Sequence, residues 1–130
     1  MGLCYNLPVY KASYKLLNTL FIRSEKFKRE YKYTVGQDLK AEGLNLIKNI
    51  YRANKTTNKV VIIQQARENL EIIRLLIRLM QDFGQLGLKA FVEINLEIEA
   101  VSKQLTAWEK WDCARIAGCQ GTGERAQQIQ

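Results

Sequence analysis

Three glutamates in the last third of the chain are the best candidates for acid–base chemistry. Glu93, Glu97 and Glu99 share one helical segment, with Glu97 set off from its apolar seam and the other two projecting further out. Glutamates on an outer helix face are usually solvated charges, and catalysis needs a base held near an electrophilic group. The chain contains no histidine, which excludes imidazole bases and Glu-x-x-His metal pairs. We therefore predict no catalytic residue, no metal site and no cofactor.

The cysteines favour a reducing compartment. Cys4, Cys113 and Cys119 form no CxxC pair and leave an odd thiol, which disfavours a disulfide scaffold or a zinc ribbon. No basic segment precedes an apolar run at the N-terminus, and no apolar run approaches the ~20 residues that span a bilayer. We expect a cytoplasmic protein that does not associate with membranes.

Basic residues give a more specific signal. The net charge of +7 is uneven, because residues 1–78 carry 15 Lys and Arg against 6 Asp and Glu, whereas residues 79–130 carry 5 against 7. This asymmetry indicates a polyanion or an acidic protein as partner, with ordinary solubility charge as the alternative. Two lines of cations lie on outer helix faces: Lys11, Lys15, Arg23 and Lys26 in the first helix, and Lys48, Arg52 and Lys55 in the second.

Adjacent antiparallel helices could merge these two lines into one patch. Clustered positive charge binds nucleic-acid phosphates without reading sequence. Tyr31, Tyr33 and Tyr51 are near enough to stack on bases, although Tyr31 and Tyr33 could equally anchor their loop on the core.

A further charged stripe runs along the third helix. Arg67, Glu71, Arg74 and Arg78 follow at spacings of four, three and four. Glu71 can pair with either neighbouring arginine on the same helix, and arginine is also favoured at interfaces. The three arginines therefore fit a subunit interface and a partner-binding surface equally well.

Helical periodicity predicts an all-α fold. Apolar residues recur at spacings of three and four in four segments: about Pro8 to Phe27, Thr34 to Asn54, Asn58 or Lys59 to Gly84, and Leu88 to Asp112 or slightly beyond. Short connections between four helices predict an antiparallel up-down-up-down four-helix bundle. We place this bundle in residues 1–113 and expect a flexible tail over residues 114–130.

Several local features position these helices. In the first helix, one face carries Leu7, Tyr10, Tyr14, Leu17 and Phe21. The core stripe of the second helix is Val35, Leu39, Leu46 and Ile50, with Gly43 permitting a close helix approach. Thr34 and Gln37 match a capping box, and the segment Gly84-Gln85-Leu86-Gly87 matches a helix C-cap and turn.

The third helix has two apolar stripes, which indicates self-association. Its inward stripe is Ile63, Ala66, Leu70, Ile73, Ile77 and Met80, and the fourth helix contributes a seam of Phe91, Ile94, Ile98, Val101, Leu105 and Trp108. A second stripe, here called the outer apolar stripe, comprises Val61, Ile72, Leu75, Leu76 and Leu79. Soluble monomers rarely expose such a patch, so it predicts contact with another subunit.

The chain resembles the accessory variability determinants of diversity-generating retroelements over about residues 7–111. The motifs that carry the resemblance, in order, are Leu7-Pro8-Val9-Tyr10-Lys11, Tyr33-Thr34-Val35-Gly36, Ile50-Tyr51-Arg52-Ala53-Asn54, Ile77-Arg78-Leu79, Val101-Ser102-Lys103-Gln104-Leu105 and Trp108-Glu109-Lys110.

This resemblance implies a four-helix bundle that assembles into a homopentameric ring and is not an enzyme. It further implies binding to the retroelement's reverse transcriptase and to RNA or DNA through a basic surface, in support of mutagenic cDNA synthesis. The same fold family includes proteins encoded by intervening sequences of ribosomal RNA genes. A free-standing nucleic-acid-binding bundle of that type is the alternative.

Overall fold

Four long helices make up most of the chain. The structure, a computed structural model, describes residues 4–120, and the side chains of residues 5–115. The helices are α1 (Pro8–Ser24), α2 (Val35–Lys55), α3 (Val60–Asp82) and α4 (Leu88–Gln120). Short helical turns at Cys4–Asn6 and Arg29–Lys32 flank α1, and no strand occurs between residues 4 and 120. The prediction of an all-α chain with four helices is confirmed.

The four helices pack as a square in which neighbours run antiparallel. α1 lies between α2 and α4, and α3 lies between the same two helices on the opposite side. Along the α3–α4 seam, Arg67 contacts Thr106 and Arg74 contacts Glu99, so one helix ascends as the other descends. This up-down-up-down order follows from connections too short to cross the bundle.

Heptad-like spacing identified the buried faces of α2, α3 and α4. All six residues of the predicted inward stripe of α3 are buried, as are Leu39, Leu46 and Ile50 of α2. In α4, Ile94, Ile98, Val101 and Leu105 are buried, while Phe91 and Trp108 pack against the core from its edge. No helix in the described part of the chain is long and apolar enough to cross a membrane.

α1 buries a different stripe from the one that carries its tyrosines. Its core face is Val9, Ser13, Leu16, Leu20 and Ser24. Tyr14, on the apolar face identified by spacing, is 52% exposed. Ser13 and Ser24 occupy two of these core positions, and their small side chains let α1 pack close to its neighbours. The Ser24 hydroxyl donates a hydrogen bond to the Phe21 carbonyl oxygen at 3.1 Å.

Gly43 permits a close approach of α1 and α2, as predicted. A Cβ atom at this position would lie 2.7 Å from Leu17 Cδ1 and 3.4 Å from Leu20 Cδ1. Real carbon atoms do not approach to 2.7 Å, so a side chain at Gly43 would displace Leu17. The glycine therefore sets the spacing of these two helices.

The helix ends agree with the sequence in part. α1 ends at Ser24, three residues before the predicted Phe27. Thr34 occupies the N-cap position of α2, but its hydroxyl donates back to the Glu30 carbonyl oxygen at 2.7 Å, so the predicted capping box is wrong. Gly84 has a φ of 76°, and the Gln85 amide donates to the Met80 carbonyl oxygen at 2.8 Å, which confirms the C-cap of α3.

α4 continues beyond its predicted end near Asp112 as far as Gln120. The Asp112 side chain is fully buried and accepts a hydrogen bond from Arg115 Nη2 at 2.8 Å. The same nitrogen donates to the Thr57 carbonyl oxygen at 3.2 Å, which ties the extension to the α2–α3 connection. The first seven residues of the expected tail, 114–120, are thus helical, and residues 121–130 lie outside the described residues.

We predict that Gly43→Val lowers the free energy of unfolding by about 1–3 kcal/mol, the usual cost of overpacking a core. Gly43→Ala should be closer to the parent protein, because a gain of about 1 kcal/mol in helix propensity offsets a contact with the end of one leucine side chain. Urea unfolding followed by circular dichroism measures both. Ala41→Val, at an exposed position of the same helix, is the control. Equal stability of the two valine variants would contradict the close approach.

Candidate nucleic-acid and partner surface

A concave feature with basic walls lies between α1 and α2. We call it the α1–α2 groove, and it is lined by Tyr5, Tyr10, Ile47, Lys48, Tyr51 and Arg52. Lys48, Arg52 and Lys55, the α2 cation row, are all exposed. In the part of the chain that the structure describes, no member of this row forms an ion pair. The row therefore presents three positive charges that the fold leaves available to an anionic ligand.

Three tyrosines, Tyr5, Tyr10 and Tyr51, line the groove together with Lys48 and Arg52. The Tyr5 and Tyr10 rings meet edge-on with centroids 5.6 Å apart, and Tyr14 continues the series 6.2 Å from Tyr10. Lys55 Nζ lies 5.3 Å from the centroid of the Tyr51 ring, within the range of a cation–π contact. Among these four tyrosines, sequence reasoning identified only Tyr51 as a candidate for base stacking.

A chain of hydrogen bonds within α2 and α3 orients Arg52. Its Nη1 donates to Asn49 Oδ1 at 3.3 Å, and Asn49 Nδ2 donates to Asn69 Oδ1 at 2.7 Å. Asn69 Nδ2 in turn donates to Glu42 Oε1 at 2.9 Å. Asn49 is buried, so its amide is held by partners rather than by water. Spacing did not identify this network, because amides and a glutamate on two different helices give no periodic signal.

Two of the four α1 cations, Lys15 and Arg23, face α4, so a single patch containing all the cations of both lines does not form. Arg23 faces α4, with its Nη2 3.8 Å from Glu93 Oε1. Lys15 lines a shallow cavity with Glu97 and Leu96 on the same side of α1. Lys11 and Lys26 are exposed. The rotation of α1 that buries Leu16 and Leu20 directs Lys15 and Arg23 toward the last helix instead of the second.

Glu97 is half-buried against α1, whereas outer-face glutamates are ordinarily solvated. Its Oε1 atom is buried and has no hydrogen-bond partner. Burial raises the pKa of Glu97 above its ordinary value, and the nearby Thr19 side chain and Lys15 only partly oppose this effect. The charged form of this carboxyl is therefore less favourable in the folded chain than in the unfolded chain.

The arginines of α3 have partners within the chain. Arg67 Nε lies 3.0 Å from Glu109 Oε1, and Arg74 Nη2 lies 2.9 Å from Glu99 Oε2, both across the α3–α4 seam. Arg74 also pairs with Glu71, 3.5 Å away on the same helix, which is one of the two pairings that the spacing of these residues allows.

Arg78 is the most exposed of the three α3 arginines, and its Nε is 3.8 Å from Asp82 Oδ1 one turn on. Arg67 and Arg74 thus join α3 to α4, and Arg78 is the member best placed to contact another molecule.

The loop tyrosines separate into one structural and one exposed residue. The Tyr31 ring packs on Phe83 with centroids 5.7 Å apart and contacts the core. Tyr33 is 60% exposed, with Lys32 Nζ 5.7 Å from its ring centroid. Lys32 also pairs with Glu25 at 2.9 Å, and this contact lowers the pKa of Glu25.

The described residues contain no group of three or more Cys, Asp or Glu side chains able to hold a metal ion. The surface carries a basic and aromatic groove on α1 and α2 and an apolar stripe on α3.

Comparison with known proteins gives one family. A family model described as bAvd-like matches residues 9–111, which span α1, α2 and α3 and most of α4. No curated protein matches the chain.

We predict that Glu97→Gln makes the protein more stable at pH 7. The pKa of Glu97 is higher in the folded chain than in the unfolded chain. The carboxyl group therefore does not destabilise the folded state below its unfolded-state pKa, and the folded state loses stability as the pH rises through the folded-state pKa. The neutral amide of the variant removes this pH-dependent loss of stability. The stability difference between variant and parent should therefore shrink as the pH falls toward about 4, where Glu97 of the parent is largely uncharged in both the folded and the unfolded chain. Thermal unfolding across this pH range measures the difference.

The control is Glu68→Gln, the same chemical change at an exposed position of α3. It should show no comparable pH trend. A Glu97→Gln variant that is less stable at pH 7 would mean that Lys15 and Arg23 stabilise the carboxylate more than burial disfavours it.

Proposed function

The chain belongs to the bAvd-like family, and from this premise we propose that it is a non-enzymatic accessory protein of a diversity-generating retroelement. In this role it binds the retroelement's reverse transcriptase and nucleic acid and supports mutagenic cDNA synthesis. The observation that carries the proposal is the family match over residues 9–111, which agrees with a resemblance in motifs distributed through all four helices.

The basic surface supports the nucleic-acid part of this role. Phosphate binding needs clustered positive charge that is not already neutralised by the protein. The α2 cation row meets this condition, and exposed Lys11, Lys15 and Lys26 add positive potential on α1. Arg23 contributes less, because Glu93 lies beside it. Binding of this type gives affinity with little sequence preference and a strong dependence on salt.

The outer apolar stripe supports assembly into a homo-oligomer, which we propose to be a pentameric ring. Val61 and Leu75 are 54% and 63% exposed, and Ile72, Leu76 and Leu79 are half-buried on the same helix. Covering such a face with a second copy removes apolar surface from water. A ring of basic subunits would hold template and enzyme together and raise their effective concentration.

We expect Leu75→Glu to dissociate the oligomer, because it places a charge in the centre of the apolar stripe. Light scattering at micromolar concentration should give about five times the chain mass of 15.0 kDa for the parent protein and a smaller mass for the variant. Leu88→Glu, at an exposed leucine of α4, is the matched control and should leave the mass unchanged. A parent protein of 15.0 kDa would refute self-association, and a dimer would refute the ring.

Co-expression with the reverse transcriptase and template RNA of a diversity-generating retroelement tests the function directly. The chain should co-purify with the enzyme, and omitting the chain should abolish or strongly reduce cDNA yield. Reversing the α2 cation row to Glu should lower cDNA yield and make the slope of log K against log salt shallower by about 2 to 3, as expected for losing three phosphate contacts.

Reversal of three exposed lysines of α4, Lys89, Lys103 and Lys110, is the control for net charge. It should change the salt slope less than reversal of the α2 cation row. Nucleic-acid binding without any association with the polymerase would instead favour a free-standing protein of the ribosomal intervening-sequence type. A chain that neither co-purifies with the enzyme nor alters cDNA yield would overturn the proposal.

A further inference from the structure

We propose that the α1–α2 groove binds single-stranded nucleic acid, with tyrosine rings stacking on unpaired bases while the α2 cation row holds the phosphates. This inference rests on the proposed function, since it assumes that the chain binds nucleic acid. Beyond that function, the inference specifies which class of nucleic acid is bound, and which residues distinguish a single strand from a duplex.

The first argument is the exposure of aromatic rings at the groove. Tyr51 and Tyr5 are 51% and 66% exposed. Tyr10 also lines the groove while it packs against the edge of the core, and Tyr14, which is 52% exposed, lies one helical turn further along α1. Exposed aromatic clusters on soluble proteins are usually binding sites. The flat faces of these rings are the chemical feature that any nucleobase can stack on.

The second argument is the charge around these rings. Lys48 and Arg52 line the groove, and Lys55 lies over the Tyr51 ring, whereas none of the described residues that line the groove is a carboxylate. Arg52 is held in place by Asn49, so its remaining N–H groups are oriented before a ligand arrives. Rings flanked by cations match a ligand in which flat bases alternate with phosphates.

The third argument is that a single strand can contact both the tyrosine rings and the cations, whereas a duplex can contact only the cations. Bases of a duplex are already stacked and paired, so an intact duplex could contact the cations but not the rings. The groove encloses about 440 Å³, within the roughly 300–1,000 Å³ typical of small-ligand sites, which suits one extruded nucleotide. A second copy docking through its own identical groove would instead bring like charges together.

Fluorescence anisotropy with the full chain tests the proposal. The probes are a fluorescein-labelled oligothymidylate, a labelled oligouridylate and a labelled DNA duplex of the same length. Tyr51→Leu removes the ring and keeps an apolar side chain. It should raise Kd for both single strands about 5- to 150-fold, the range for losing one base–aromatic stack. The Kd for the duplex should change much less.

Tyr33→Leu is the matched control, because Tyr33 is an exposed tyrosine beside a lysine but lies outside the groove. It should leave all three affinities near those of the parent protein. If Tyr51→Leu and Tyr33→Leu behave alike while the parent protein binds all probes, the groove assignment is wrong and nucleic-acid binding itself stands.

Two other outcomes also overturn the proposal. A parent protein that binds none of the probes would contradict the groove site and the nucleic-acid part of the proposed function together. If Tyr51→Leu lowers the oligomer mass or loses the polymerase, with oligonucleotide affinities unchanged, the groove is a protein-contact surface. Light scattering and co-purification of the same variant separate these two cases.

Discussion

The closeness of α1 to α2 at Gly43 constrains much of what the surface presents. Because a Cβ there would displace Leu17, the absence of a side chain lets Leu17 and Leu20 seat against α2. α1 then buries Leu16 and Leu20, and Tyr10 packs against the edge of the core. Tyr10 also lines the α1–α2 groove, so the same ring belongs to the core edge and to the groove wall. A single glycine thus links helix packing to the chemistry of a candidate binding surface.

Ion pairs within the bundle determine which cations remain for a ligand. Arg67 and Arg74 form ion pairs with glutamates of α4. Glu25 forms ion pairs with both Lys32 and Lys40. These exposed or half-exposed pairs contribute little stability individually. Their larger effect is to concentrate the unpaired positive charge elsewhere, including on the outer face of α2. A net charge of +7 therefore describes the whole chain but not where a polyanion would bind.

Buried polar groups hold the helices in register where the apolar core does not specify it. Asp112 is fully buried, and Arg115 connects it to the carbonyl oxygen of Thr57. Asn49 and Asn69 join α2 to α3 through a short hydrogen bond. Burying such groups is costly unless they are paired, so a shifted register would leave them unsatisfied. The same contacts orient Arg52 and tie Arg115 of α4 to the α2–α3 connection.

The sequence by itself determined the helices, their order and the buried faces of α2, α3 and α4, because one strong apolar stripe recurs at helical spacing in each. It also indicated the close approach at Gly43 and the cap at Gly84. Tertiary structure decided the rotation of α1, where a stripe containing Ser13 and Ser24 is buried in preference to a more aromatic one. It also decided that Lys15 and Arg23 face Glu97 and not the second helix. Periodicity shows which residues of one helix share a face, but contacts between helices depend on packing against neighbours.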